Sequence, residues 1–319
     1  MQASRCIAIN IGGGFVPGLN AVITGAVLAA SELGWEVVGI RDGFDGLLFP
    51  DRYPDGGLVK LTRGMLEHVS STGGSILGTA AHTDPFHVRI INADNIVEEV
   101  DRSDELLGRL REHGIDGVIS VCGMRALSIL FKLHRKGLNT ICVPKSVEND
   151  IAATQLSFGF NSALSFATEM LDRVRQAAES ARKVGVVEVL GEHSGWLALQ
   201  AGMAVCADAV LIPEIPYDVT RVAARLRARM QRGRKSALVV VAEGALPAAA
   251  MQTETNAVDS MRASLSPGAT GHTGAHVIDR SGHVAEAVAL QLQRLTDHET
   301  YPLVLGGLVK GGHPTAVDR

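Results

Sequence analysis

Short β-branched runs alternate with longer helical ones through most of this 319-residue chain. Residues 6–11 read as a strand, 17–33 as a helix and 36–40 as a strand. A helix over 103–113 feeds a strand over 117–121, and a helix over 126–136 feeds the apolar run 138–143. A second series follows: helix 160–181, strand 184–189, helix 196–204, strand 209–212, helix 219–231 and strand 237–242. Helix 285–296 and strand 303–305 close the pattern. Such alternation implies parallel sheets with helices on both faces, because each parallel connection must cross over a sheet. The predicted class is α/β.

A chain this long forms two domains or one large one. The net charge of −4 and the lack of a long basic block argue against nucleic acid as the main partner. No apolar run reaches the roughly 20 residues that span a bilayer. The N-terminus MQASRCIAINIGGG enters a strand without a signal sequence, so a cytoplasmic protein that does not engage membranes is expected. Cys6, Cys122, Cys142 and Cys206 are widely spaced and mostly inside apolar runs, which predicts buried free thiols rather than disulfides or a metal cage. Residues 245–284 are rich in Ala, Ser, Thr, Gly and His and read as an insertion or flap. The chain stops at GGHPTAVDR, where the pattern starts another helix, and so reads as short or truncated.

Chemistry concentrates in Pro144–Asp150, PKSVEND, directly after the apolar run 138–143. It combines a cation (Lys145), a hydroxyl (Ser146) and two carboxylates (Glu148, Asp150) at a strand's carboxyl end, where open α/β sheets bind ligands. A carboxylate beside a lysine suits phosphoryl transfer, the one taking the acceptor's proton and the other offsetting phosphate charge. The same residues also fit a polar loop in which Asn149 or Asp150 caps the next helix. A second loop, Asn10–Asn20 (NIGGGFVPGLN), joins the first strand to the first helix. Its glycines let backbone N–H groups approach an anion at a helix N-terminus. A dinucleotide fingerprint is absent because Pro17 stands at its third glycine, and the Walker A pattern is absent too.

Taken in order, these segments resemble the phosphofructokinase family. GGGFVPGLN is similar to that family's first phosphate loop, G-G-D-A-P-G-M-N or G-G-P-A-P-G-L-N. GIRDGFDGL, GGSILGTAAHTDPF, VVEVLGEHSGWLAL, PEIPYD, VVVAEGA and LVLGGLVKGGHPTAVDR resemble its later signatures. PKSVEND is closest to the P-K-T-I-D-N-D of pyrophosphate-dependent members. The resemblance implies two similar Rossmann-like domains with mainly parallel sheets and an active-site cleft between them. Residues 1–158 would form the donor-phosphate domain, 159–308 the sugar-phosphate domain, and 309–319 the start of a return segment. It implies transfer of a phosphoryl group from pyrophosphate, less favoured ATP, to fructose 6-phosphate or a related sugar phosphate, as in glycolysis. A magnesium ion and a homo-oligomer, or assembly with a paralogue, come with it.

Carried over position by position, the resemblance makes Glu148 the base, flanked by Ser146, with Lys145 setting the donor. Gly13, Gly14, His82 (or Ala81) and Arg125 would hold donor phosphate. Asp150, Lys183, Leu190, Gly191, Glu243, Tyr301 and Lys310 would bind the sugar phosphate. Several positions depart from the family. Met124 replaces the acid that anchors magnesium, and a thioether is a poor ligand for a hard cation. Arg125 follows it and offers a charge in the metal's stead. Glu148 is longer than the family's aspartate, and displacing a base by about 1 Å costs roughly 100-fold. His82, Lys183, Glu192, Tyr301 and Lys310 stand where the family has arginines, and Gly307 where it has His or Tyr. Each lost charge-assisted hydrogen bond is worth about 1.5–3 kcal/mol. These departures sustain a second reading, a catalytically degenerate paralogue that binds metabolites or regulates a partner. His193, His272 and His276 read as structural or solvated. The basic segment 221–235 reads as a solvated helix face, with a subunit contact or anion site as alternatives.

Overall fold

The computed structural model describes residues 5–80, 83–91, 95, 97–248 and 282–319. The chain divides into two compact units, one formed by Met1–Ser162 with Lys310–Arg319 and the other by Ala163–Val309.

The first unit contains β1 (Cys6–Gly12), α1 (Leu19–Glu32), β2 (Glu36–Ile40), a single helical turn α2 (Asp45–Leu48) and β3 (Leu58–Leu61). A hairpin of β4 (Val88–Ile91) and β5 (Val97–Val100) follows. Then come α3 (Ser103–Glu112), β6 (Gly117–Cys122), α4 (Met124–Arg135) and β7 (Thr140–Pro144). The main sheet runs β3-β2-β1-β6-β7. All its pairs are parallel except β2 with β3. β1 lies centrally and buries Ala8, Ile9, Asn10 and Ile11 in succession, as a strand covered on both faces must. The order reverses between β1 and β6, so the crevice at their carboxyl ends is the topological switch point where such sheets place ligands. The Gly12–Gly14 loop, Met124 and Lys145 all sit at carboxyl ends of β1, β6 and β7.

α5 (Phe160–Ala181) leads into the second unit. There β8 (Val184–Val189), α6 (Trp196–Ala204), β9 (Ala209–Leu211), α7 (Val219–Gln231), β10 (Ala237–Ala242), α8 (His283–Thr296) and β11 (Thr300–Val304) follow. The sheet order is β11-β8-β10-β9, parallel throughout. Every residue of β8 and β10 is buried, which explains their unbroken runs VGVVEV and ALVVVA. Glu188 is the one charge in these runs. Its buried carboxylate accepts the Gly282 N–H at 2.5 Å and the Ala285 N–H at 2.9 Å, satisfying free donors at the start of α8. α7 begins at a side-chain cap: the Asp218 carboxylate accepts from Thr220 N at 2.9 Å.

Four local expectations change. The first helix starts at Leu19 rather than Pro17, because Gly18 takes a left-handed φ of 95°. A Cβ on Gly18 would lie 3.2 Å from Asp318, so this turn is shaped by the far end of the chain. α4 starts two residues early, directly after Gly123. No helix follows PKSVEND until Phe160, so neither Asn149 nor Asp150 caps one. Cys206 is exposed rather than buried. Most of the 245–284 segment lies outside the described residues, together with His272 and His276.

One glycine pair offers a direct test of packing. Gly57 has φ 79°, and a Cβ there would stand 2.1 Å from the Gly46 carbonyl oxygen. Gly57→Ala is expected to lose about 2–3 kcal/mol of stability, from left-handed strain plus a backbone clash. Urea unfolding checks it, and an unchanged midpoint would show that this contact relaxes freely.

Candidate functional site

In the first unit, three loops come together at the switch point. Gly12 ends β1 where a Cβ would meet the Ala126 Cβ at 2.8 Å and the Cys122 Cβ at 3.2 Å, so α4 packs directly on the glycine loop. Gly13 turns the backbone with φ 85° and donates its N–H to Ala80 O at 2.9 Å. Lys145 enters from β7. Its N–H bonds Cys122 O at 3.1 Å, and its ammonium donates to Gly14 O. The same ammonium would stand 3.3 Å from a Cβ on Gly13. The side chain is only 5% exposed.

Burial pulls Lys145 down to about 8; the neighbouring Cys122 pushes the other way, and the charge of Lys310 adds to the lowering. An ammonium carries three donors, and Gly14 O is the one hydrogen-bond partner among the described residues. A buried cation with donors to spare, beside a glycine turn and a second lysine, has the chemistry to attract an anion.

The loop after Lys145 is held rigidly by its own polar groups. Ser146 Oγ donates to Asp150 Oδ1 at 2.5 Å and accepts from Glu148 N at 3.0 Å. Asn149, at φ 54°, accepts from Ser157 N at 2.9 Å and donates to Gln155 O at 3.1 Å. Ser157 Oγ donates to Ser146 O at 2.9 Å. Val147 and Ile151 are buried, which anchors the loop on either side of Glu148. Ser146 and Asp150 therefore serve the shape of the loop that carries Glu148.

Asp318 supports this arrangement and was not singled out from sequence. It is 2% exposed and accepts from Gly159 N at 3.0 Å, Ser162 N at 2.9 Å and Ser162 Oγ at 2.5 Å. It thereby ties the end of the Glu148 loop to the start of α1 through its contact with Gly18. The only sequence signal was a carboxylate in the closing DR of a motif.

The magnesium expected from resemblance finds no fit in these side chains. At the position of the anchoring acid, Met124 presents a thioether, 46% exposed, at the start of α4. Among the described residues no three His, Cys, Asp or Glu side chains gather to hold a metal. Arg125, also exposed, follows at the same helix end. His82 lies outside the described residues.

The second unit places its candidates at the carboxyl ends of β8 and β10. Gly191, with φ 151°, donates its N–H to Glu243 Oε1 at 3.3 Å, so Leu190, Gly191 and Glu243 form one local group. Two other candidates are engaged elsewhere. The Lys183 ammonium pairs with Glu299, and the Tyr301 hydroxyl donates to Val174 O at 3.4 Å. Lys310 belongs to the first unit and acts on Lys145. On α7 and the turn after it, Arg225, Arg229, Arg232 and Arg234 line an open cavity of about 630 Å³, with Arg229 held by Asp208 at 2.8 Å.

Comparison with known proteins agrees with this picture. A sequence model of the family described as Phosphofructokinase matches residues 6–319. An ATP-dependent 6-phosphofructokinase of Chloroflexus aurantiacus is 38% identical over 314 residues, covering 98% of this chain and 80% of that relative. ATP-dependent 6-phosphofructokinase 3 of Streptomyces coelicolor is 36% identical over 315 residues, covering 98% and 83%. Among solved structures, phosphofructokinase from Saccharomyces cerevisiae superposes with a TM-score of 0.73 at 26% identity, over 99% of this chain and 40% of that one. A pyrophosphate-dependent phosphofructokinase from Marinobacter aquaeolei gives a TM-score of 0.73 at 20% identity, over 98% and 72%, and shares the fold. With a glycine turn, a buried lysine and a carboxylate loop at the switch point of an α/β sheet, and with a match along nearly its whole length, the chain belongs to the phosphofructokinase family.

Proposed function

We propose that this protein transfers a phosphoryl group from a phosphoanhydride, pyrophosphate or ATP, to fructose 6-phosphate or a related sugar phosphate. The observation that carries this reading is Lys145: a buried ammonium with uncommitted donors, aimed at the Gly13–Gly14 turn. On this reading Lys145, Gly13 and Gly14 bind donor phosphate, and Glu148 takes the proton of the attacking sugar hydroxyl. Arg125 adds positive charge at the amino end of α4. In the second unit, Glu243 and the Leu190–Gly191 turn are the groups suited to sugar hydroxyls. The burial of Lys145 favours the compact pyrophosphate, while the names of the relatives at 36–38% identity favour ATP.

The test is phosphoryl transfer to fructose 6-phosphate, with and without magnesium, comparing the two donors and using Glu148→Ala as the blank. Turnover that vanishes in the blank supports the reading and names the donor. A second reading, sugar-phosphate or anion binding without transfer, is favoured by Met124, by the Lys183–Glu299 pair and by the Tyr301–Val174 bond. Binding measured by calorimetry together with no turnover above the blank would establish it. Assembly with identical or paralogous subunits and a cytoplasmic setting belong to the same proposal. Among the described residues, no helix is long and apolar enough to cross a membrane.

Lys145 also sets an expected pH dependence. Below pH about 8 it is protonated both folded and unfolded, so folding carries the full burden of burying the charge. Between about 8 and the ordinary 10.5 the unfolded chain holds more protons, so stability from this group rises with pH. Anion affinity runs the opposite way and falls as pH passes 8. Lys145→Met is expected to raise stability by roughly 1–3 kcal/mol and to weaken pyrophosphate binding about 10- to 100-fold. Thermal melts and calorimetric titration at pH 7 and pH 9 read both effects. A variant that is less stable and binds equally well would remove Lys145 from the donor site.

A further inference from the structure

The first unit carries a pair of thiols that the phosphate chemistry does not use. Cys122 ends β6 and Cys142 sits in the middle of β7. The register pairs Ser120 with Cys142, so Cys122 lies two residues further along, and the two-residue period of a strand puts both side chains on one face. Their sulfur atoms are 3.2 Å apart, within S–H···S hydrogen-bond reach. Cys122 is fully buried in the core formed with Leu130 and Leu133, and Cys142 packs against that core while partly reaching solvent. Among the described residues β7 is an edge strand of its sheet, paired with β6.

The two sulfurs are unequal. The hydrogen bond from Cys122 holds the Cys142 thiol below its ordinary range, against the opposing pull of burial. That same bond, with burial, pushes Cys122 well up. The partly accessible sulfur is thus the better nucleophile, and the buried one stands behind it as a resolving thiol.

We propose that Cys122 and Cys142 form a modification site, a dithiol that hydrogen peroxide or another hydroperoxide converts reversibly into an intrachain disulfide. The Cys142 thiolate attacks the peroxide oxygen, the O–O bond breaks, and hydroxide leaves to become water, giving a sulfenic acid. The Cys122 sulfur then attacks that sulfur. The S–S bond forms, the S–O bond breaks, and the departing hydroxide takes the Cys122 proton as a second water. Two electrons pass from the thiols to the peroxide in all. The sulfurs must close by about 1 Å to bond. β7 is the strand placed to give at Cys142, since among the described residues its outer side is bonded at its end, where Pro144 O accepts the Phe158 N–H at 3.0 Å. Its movement reaches the anion site directly, because Cys122 O accepts the Lys145 N–H.

The test titrates the reduced full-length chain with hydrogen peroxide, alkylates it with iodoacetamide under denaturing conditions and maps the peptides by mass spectrometry. The exposed Cys206 reports the oxidant dose. At the dose that oxidises Cys206, labelling of Cys122 and Cys142 is expected to fall together. A cross-linked peptide pair lighter by two hydrogens should appear, and dithiothreitol should restore both thiols. In Cys142→Ser, Cys122 should stay fully labelled. Unchanged labelling of both thiols at that dose would overturn the proposal. So would a dimedone-trapped sulfenic acid on Cys142 with Cys122 still free.

Discussion

A Glu148→Gln variant is expected to lose roughly 100- to 10,000-fold in turnover with little change in donor affinity. Ser146 Oγ bonds the Glu148 backbone and Asp150, and Asn149 is locked by Ser157, so the loop carries a hydrogen-bonded frame of its own around Glu148. Gln keeps the size and removes the base, which separates chemistry from shape. Donor binding, which the proposed function assigns to Lys145 and the Gly13–Gly14 turn, should survive. The measurement is steady-state turnover with calorimetric pyrophosphate affinity alongside. Full activity in the variant would remove Glu148 from the chemistry, whereas a parallel loss of donor binding would mean the loop had collapsed.

Asp318→Ala is expected to destabilise the first unit by about 3–5 kcal/mol. Its carboxylate receives two backbone N–H groups and a hydroxyl in a buried setting, and alanine leaves those donors without an acceptor. Each unsatisfied buried donor costs about 1–3 kcal/mol. Ser162 Oγ has a fallback partner in Thr315 Oγ1 at 3.4 Å, which keeps the total below a simple sum. Asp318→Asn retains part of the network and should lose less. Hydrogen exchange at the Gly159 and Ser162 amides reports the effect locally, and urea unfolding reports its size. A loss under about 1 kcal/mol would mean water replaces the carboxylate.

The sequence pattern carried most of the regular structure because the sheets are buried on both sides. β8 and β10 are runs dominated by valine, broken only by Glu188. Residues 41–102 were harder, since α2, β3, β4 and β5 are each only four residues long and show too little periodicity to read. The start of α1 could not be read locally, because the turn at Gly18 packs against Asp318. At the site, the positions of Gly13, Lys145 and Glu148 followed from strand ends. The burial of Lys145 did not, because lysine is ordinarily a surface residue. The partners of Lys183 and Tyr301, Glu299 and Val174, are set by tertiary packing that no motif encodes. The Cys122–Cys142 contact likewise needs the register of β6 on β7.

The first unit is discontinuous in the chain, and this bears on how the protein matures on the ribosome. Residues Met1–Ser162 emerge first, yet Asp318 arrives only after the whole of Ala163–Val309 has been made. At about 5–20 residues per second that interval is on the order of 10–30 s. Throughout it, the Gly159 and Ser162 donors and the packing face of Gly18 lack the carboxylate that completes them. The second unit, contiguous in the chain, has no such dependence. Vectorial synthesis therefore lets the later-made unit close first, and the first unit stays unfinished until Asp318 has left the tunnel.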